Sequence, residues 1–412
     1  MNNRNYVYFP ITVLLAFLIF TEVLFWIGPI DYDIRNDVVL ASYLLLVNIA
    51  LFWGYRSGVK RFRSSSFKLG TPMVKFVLVV GLFSSVSSLF YMWGQRGIAL
   101  NLTNLFDSVL NPGEVYHSEN VNDANSTTFL TFTAPFLWAS IPLGILYWRK
   151  VGKLFRFMLI SIILIRMFSW LGIGTRKGLM DIFIFIISVF LACKKTFVLV
   201  PQNRKKIIRY VFSFSVLFLF YFVYSNLSRS GLGLDELQDD LLLARTEIRE
   251  GYEKMPLWLV FSLISISSYL CQGYYALALG LDLGILPAAF GGSSWFTIML
   301  ATRLGMDPTK DTYMYILQQY GIDMSVNWHT AYVWLANDFT FIGVPIVVFW
   351  VGYFLAKTWL DCLCNKNDLA YVVMPFFVLM VFYFFANNQV MSFSFIPFFV
   401  SLVTYIIPKR YV

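Results

Sequence analysis

At 412 residues, 58% apolar, 19% aromatic and only 13% charged, the chain is too apolar for a soluble domain, where about 45–50% apolar and about 25% charged is usual. Its net charge of +9 does not point to nucleic acid, because the basic residues fall in short connections, an orientation signal rather than an electrostatic footprint. Apolar stretches of about 20 residues recur throughout, which leaves an integral membrane protein of many spans.

Ten segments are predicted to span, roughly 9–28, 38–55, 74–94, 128–148, 155–173, 178–193, 207–225, 330–356, 370–386 and 390–408. Arg4 and then an apolar run without a small-x-small cleavage pattern predict a retained first span. The connections 56–75 (Arg56, Lys60, Arg61, Arg63, Lys68, Lys75), 149–156 (Arg149, Lys150, Lys153, Arg156) and 194–209 (Lys194, Lys195, Arg204, Lys205, Lys206, Arg209) are basic. The alternate ones are not: 29–37 holds only Arg35, and 95–127 sets Arg96 against Asp107, Glu114, Glu119 and Asp123. Both termini are then expected in the cytoplasm. Cys193, Cys271, Cys362 and Cys364 offer neither a disulfide framework nor zinc-type spacing, so no metal or cofactor is expected.

The chain reads as one integral membrane domain, 1–412, in which residues 226–328 form a large outer loop between the seventh and eighth spans. Its first part is acidic (Asp235, Glu236, Asp239, Asp240, Glu247, Glu250, Glu253). Leu237, Leu241, Ala244, Ile248 and Tyr252 fall on one helical face, which predicts an amphipathic surface helix over 235–254, or a lid over a lipid-facing cleft. Residues 257–281 are apolar but interrupted by Gln272, Gly273, Tyr274 and Tyr275, and are expected to form a re-entrant or interfacial helix.

Charges inside spans are costly and mark function. Arg166 lies inside the fifth span, as an anion site or snorkelling to the interface beside Trp170. Gly172-Ile173-Gly174-Thr175-Arg176-Lys177-Gly178 joins two spans on the outer side, either as a phosphate cradle ahead of a helix start or as a plain hairpin turn. Arg229, where the seventh span leaves, adds a third cation at that level. Together Arg166, Arg176 and Arg229 suggest a lipid-borne phosphate or pyrophosphate. His329 and Asp338 are candidates to position or deprotonate an acceptor hydroxyl, against readings as an interfacial cap and a structural hydrogen-bonding group. Glu22 is a further intramembrane carboxylate, and Asn387, Asn388 and Gln389 at an outer turn could bind sugar hydroxyls or end a helix.

This layout resembles the oligosaccharide repeat-unit polymerases, the Wzy-type O-antigen polymerases. The resemblance is carried by the ten or so spans, by Gly174-Thr175-Arg176 after the fifth span, by one large outer loop, and by His329-Thr330 leading into Asn337-Asp338-Phe339-Thr340-Phe341-Ile342-Gly343. Thr340 stands where the family commonly carries Gly, and Arg-x10-Gly repeats, present in some members, are absent. The resemblance implies an all-α, polytopic, GT-C-like transmembrane bundle in the bacterial inner membrane. It also implies a polymerase that joins undecaprenyl-pyrophosphate-linked repeat units at the periplasmic face. The lipid bilayer and the lipid-linked glycan are then partners, a chain-length regulator protein is a further candidate, and no nucleic acid is involved. A ligase-like glycan transferase and a flippase or transporter for the same lipid-linked glycan are the rival readings.

Overall fold

The computed structural model describes residues 4–95, 128–172, 177–193, 245–324, 326–407 and 410–411, with isolated positions between 209 and 243. The predicted seventh span, 207–225, lies almost wholly outside the described residues. Among the described ones, the long helices are α1 (Arg4–Ile27), α2 (Asp37–Lys60), α3 (Thr71–Gln95), α4 (Thr128–Leu146), α5 (Lys153–Gly172) and α6 (Lys177–Ala192). After these come α7 (Leu257–Asp282), the short α8 (Trp295–Arg303) and α9 (Tyr313–Leu317), α10 (Ala331–Cys364), α11 (Asp368–Phe382), α12 (Gln389–Phe393) and α13 (Phe395–Ile406). Five of them, α1, α2, α3, α5 and α10, are long and apolar enough to cross a membrane, and parts of α4, α11 and α13 are apolar but shorter. The chain is therefore helical and multi-pass. The predicted tenth span is divided into α12 and α13 at Ser394.

Two compact units emerge. Unit 1 comprises Met1–Phe62, Leu232–Leu360 and Phe377–Phe395. In it α2 and α10 meet through small residues: a Cβ on Gly54 would lie 1.9 Å from the Phe349 carbonyl oxygen, and one on Gly352 would lie 2.3 Å from that of Leu51. With Gly58 four residues on, this is the small-xxx-small approach that lets membrane helices pack backbone to backbone, where lipid offers no hydrophobic drive. The intramembrane carboxylate Glu22 of α1 accepts from Asn48 Nδ2 of α2 at 2.8 and 3.0 Å.

The expected amphipathic helix over 235–254 is not formed at its described end. Thr246–Ile248 is a strand (β2) paired antiparallel with Ile30–Tyr32 (β1), in the register Ile30 to Ile248 and Tyr32 to Thr246. Arg245 (φ 63°) and Gly251 (φ 94°) bracket it with left-handed backbone, which no helix can continue through. Over residues 257–281 a helix does form, but without the expected interruption: α7 runs unbroken for 26 residues. Gln272 is buried and its Oε1 accepts from Asn327 Nδ2 at 3.4 Å. Gly273 is there because any Cβ would fall 2.2 Å from the Phe385 carbonyl oxygen. The residues that looked like breakers are packing residues.

Unit 2 comprises Arg63–Gly231, Asp361–Phe376 and Ile396–Val412. Its α3, α4 and α5 pack tightly, with Gly81 against Ser140 and Gly144 against Leu159. A polar knot holds its 63–69 segment. Asp361 accepts from Ser65 N at 3.0 Å, Ser65 Oγ at 2.6 Å and Tyr405 O–H at 2.6 Å. Asp368 accepts from Lys68 Nζ at 2.7 Å, Leu69 N at 2.9 Å and Tyr147 O–H at 2.6 Å. Both carboxylates are buried and fully engaged.

Candidate functional site

The first turns of α10 carry the Asn337-Asp338-Phe339-Thr340 run, and in unit 1 they grip one loop. Asp338 Oδ1 accepts from the backbone N–H of Gly291 at 2.7 Å and of Gly292 at 3.0 Å, and Oδ2 accepts from Ser293 N at 3.3 Å. Asn337 Nδ2 donates to the Gly292 carbonyl at 2.9 Å, while its Oδ1 accepts from Tyr313 N at 2.9 Å. Asn388 Nδ2 holds the same loop by donating to the Ser293 carbonyl at 2.8 Å. The loop can fold this way because Gly291 adopts φ 106° and because a Cβ on Gly292 would lie 2.9 Å from the Asn337 Cβ. Ser294 then closes a capping box with Thr297 and starts α8.

Immediately after the clasp α10 is interrupted. Thr340 has φ 55° and ψ 165°, non-helical and far from the regions a β-branched residue favours. Glycine would take this conformation without a steric penalty. Beyond the break, the Phe341 carbonyl has no helical donor because Pro345 stands four residues on, and Tyr43 O–H donates to it at 3.1 Å. Asp338 thus clasps the loop through three backbone donors while it stays half-buried, with Oδ2 holding only the 3.3 Å contact.

His329 sits just before α10 at 1% exposure. Its Nδ1 is 3.1 Å from the Asn327 carbonyl, so Nδ1 must carry the proton and donate. Burial lowers its pKa to about 4, against the opposing pull of that hydrogen bond. The ring is neutral at pH 7, and its Nε2 lone pair is buried with no hydrogen-bond partner among the described residues. The same is true of Trp334 Nε1 and of both amide atoms of Gln389. Leaving such atoms unpaired costs about 1–3 kcal/mol each. These groups share one packed neighbourhood in unit 1: Trp334 lies against Trp295 (5.6 Å between rings), Trp295 N donates to Ser392 Oγ, and Ala331 N donates to the Phe384 carbonyl.

In unit 2, Arg166 of α5 is 7% exposed, so it does not snorkel to an interface. Its guanidinium lies 4.1 Å from the centre of the Trp138 ring of α4, not on Trp170, and Nη1 is buried without a hydrogen-bond partner. Buried Asp181 of α6 acts electrostatically on both Arg166 and Lys177. Lys177 stands at the start of α6, where the helix dipole adds positive potential. Trp170 packs so closely on Gly178 that a Cβ there would fall 2.1 Å from the indole.

Of the expected site residues, His329 and Asp338 lie in unit 1 and Arg166 in unit 2. Arg176 and Arg229 lie outside the described residues, as does His117. The sequence reading missed Trp334, Asp181 and the Gly291–Ser293 loop. A Gly-Gly-Ser-Ser run ahead of a Ser-x-x-Thr cap was the available signal for the last. Comparison with protein-family profiles, curated proteins and solved structures finds no match.

Proposed function

We propose that the protein is a membrane-embedded glycosyltransferase that joins lipid-pyrophosphate-linked repeat units into a polysaccharide at the outer face of a bacterial inner membrane. The observation that carries this reading is the buried guanidinium of Arg166 in unit 2, whose Nη1 has no hydrogen-bond partner among the described residues. A buried cation with unused hydrogen-bond capacity is suited to a substrate phosphate. Arg176 and Arg229 are the further candidates for that charge.

In the reaction the bond between the anomeric carbon and the pyrophosphate oxygen breaks. The acceptor hydroxyl oxygen bonds to that carbon and gives up its proton, and the pyrophosphate leaves on its lipid. The cations would stabilise the charge that builds on the leaving oxygen. Unit 1 offers a candidate group of its own: the His329 Nε2 lone pair, on a ring with a pKa near 4, suits orienting a hydroxyl more than deprotonating one. Asp338 serves by holding the loop.

The test is Arg166→Ala, read as the ladder of lipid-linked glycan. It should leave single-unit products and cut long products by about 100-fold or more. Arg166→Lys, which keeps charge without the planar fork, should restore only part. An unchanged ladder in both overturns the reading. A transport reading is favoured by one observation, the break at Thr340 inside a long apolar helix, a feature shared with transporters. Liposome-reconstituted protein that moves the lipid without lengthening its glycan would establish it instead.

A further inference from the structure

We propose that a cleft in unit 2, where the connections 63–70, 147–152 and 365–367 meet, is a headgroup site for an anionic phospholipid of the bilayer, independent of the transfer chemistry above. The cleft holds about 170 Å³ and is lined among others by Lys68, Tyr147, Arg149, Lys150, Asn365 and Asp368. Sites that enclose a drug-sized ligand usually hold about 300–1,000 Å³. This one therefore admits a small polar group and leaves the rest of its ligand outside.

Charge selects an anion. Three cations line the cleft against one carboxylate, and that carboxylate is spent. Asp368 is buried and already accepts from Lys68 Nζ at 2.7 Å, Leu69 N at 2.9 Å and Tyr147 O–H at 2.6 Å. Arg149 and Lys150 are exposed and make no side-chain hydrogen bond or ion pair among the described residues. Their placement is fixed all the same. Lys150 Nζ lies 5.0 Å from the centre of the Tyr147 ring, whose hydroxyl is held on Asp368. Lys150 N donates to the Tyr147 carbonyl at 2.8 Å, which closes the turn that presents Arg149. α3, α5 and α11 all begin at this level, at Thr71, Lys153 and Asp368, and their dipoles add positive potential. An arginine fork beside a lysine point charge suits the oxygens of a phosphodiester.

Depth selects the source. α3 and α5 are long and apolar enough to cross a membrane, and the cleft lies at their first residues, the level of the headgroups. Tyr147 and Trp148 mark that level as interfacial aromatic residues do. Arg156 stacks 5.5 Å from the centre of the Trp148 ring and donates from Nε to its carbonyl at 2.8 Å. Just beyond, Leu154 and Phe157 of α5 are 61% and 67% exposed. A soluble phosphate would gain nothing from that apolar flank. A phospholipid can seat its phosphate among the cations and lay its acyl chains on the flank, as basic pockets between membrane helices do.

The experiment uses the full chain in a neutral detergent, titrated with pyrene-labelled phosphatidylglycerol and, as the zwitterionic reference, pyrene-labelled phosphatidylcholine, read by tryptophan-to-pyrene energy transfer. Wild type should bind phosphatidylglycerol saturably and the more tightly of the two. Arg149→Gln with Lys150→Gln, at exposed positions that hold no other side chain, should weaken phosphatidylglycerol about ten-fold or more and leave phosphatidylcholine unchanged. Arg56→Gln with Lys60→Gln removes equal charge from exposed positions of α2 that do not line the cleft, and should change binding by about two-fold at most. Equal affinity of wild type for both lipids, unchanged affinity in the Arg149 and Lys150 variant, or equal weakening by the two pairs each overturns the site. Inorganic phosphate equimolar with the lipid should not displace it; displacement would assign the cleft to a soluble anion and sink the lipid.

Discussion

The two ends of α10 hold buried polar residues of the same chemical kind and put them to different use. At its C-terminal end, in unit 2, Asp361 is ringed by Ser65 and Tyr405, and every donor in the knot has an acceptor. At its N-terminal end, in unit 1, Asp338 also accepts from three donors, but His329 Nε2, Trp334 Nε1 and the Gln389 amide have no partner among the described residues. A buried charge is therefore no guide to function by itself. What separates holding from acting is hydrogen-bond capacity left over, and by that measure Arg166, His329 and Gln389 outrank Asp361 and Asp368.

The largest test of this contrast is Asp361→Ala. It would strand the Ser65 and Tyr405 donors and should cost about 1–3 kcal/mol for each donor left unpaired, read as loss of folded protein in detergent melts. A variant as stable as wild type would show the knot to be incidental. His329 gives the next effect. Its pKa falls from the ordinary 6.5 to about 4 on folding, so the unfolded chain binds its proton first as pH drops. Stability is intact above about pH 6.5 and is lost progressively down to about pH 4, by at most about 3 kcal/mol. His329→Gln should flatten melting temperature across that window; an unchanged acid slope would mean that the ring is not buried neutral.

Asp338→Asn distinguishes clasp from base. An amide oxygen can still accept from Gly291 and Gly292, so the loop should loosen by about 1–2 kcal/mol while glycan lengthening continues at a tenth of wild type or more. Loss of all lengthening in a folded Asp338→Asn protein would restore the carboxylate to the chemistry.

Most helices were legible in the sequence because an apolar run long enough to span is a property of the run itself. The clasp was not, since it joins Asp338 to Gly291–Ser293 across 45 residues or more and only folding brings them together. β2 was hidden by periodicity: Ile248 and Tyr252 suit a helical face as well as Thr246 and Ile248 suit alternation, and the pairing with Ile30–Tyr32 decided the matter. In α7, Gln272 and Gly273 read as breakers because their partners, Asn327 and the Phe385 carbonyl, lie far away in sequence. Arg166 and His329 were singled out from burial expected of their spans. Their unused capacity required the structure.

The smallest predicted effect is also the most diagnostic of how the clasp region is built. Thr340 takes φ 55° and ψ 165°, which for a β-branched residue costs about 1–3 kcal/mol. If the grip of Asn337 and Asp338 on the loop enforces the break, Thr340→Gly relieves strain and stabilises by about 1 kcal/mol net of the entropy glycine adds to the unfolded chain. If α10 were instead continuous in the membrane, the same substitution would place glycine in a helix interior and destabilise by about 1 kcal/mol. The sign of the shift in a detergent melt decides between them, and the double variant with Asp338→Ala should lose the gain, because without the clasp nothing holds residue 340 in the glycine conformation.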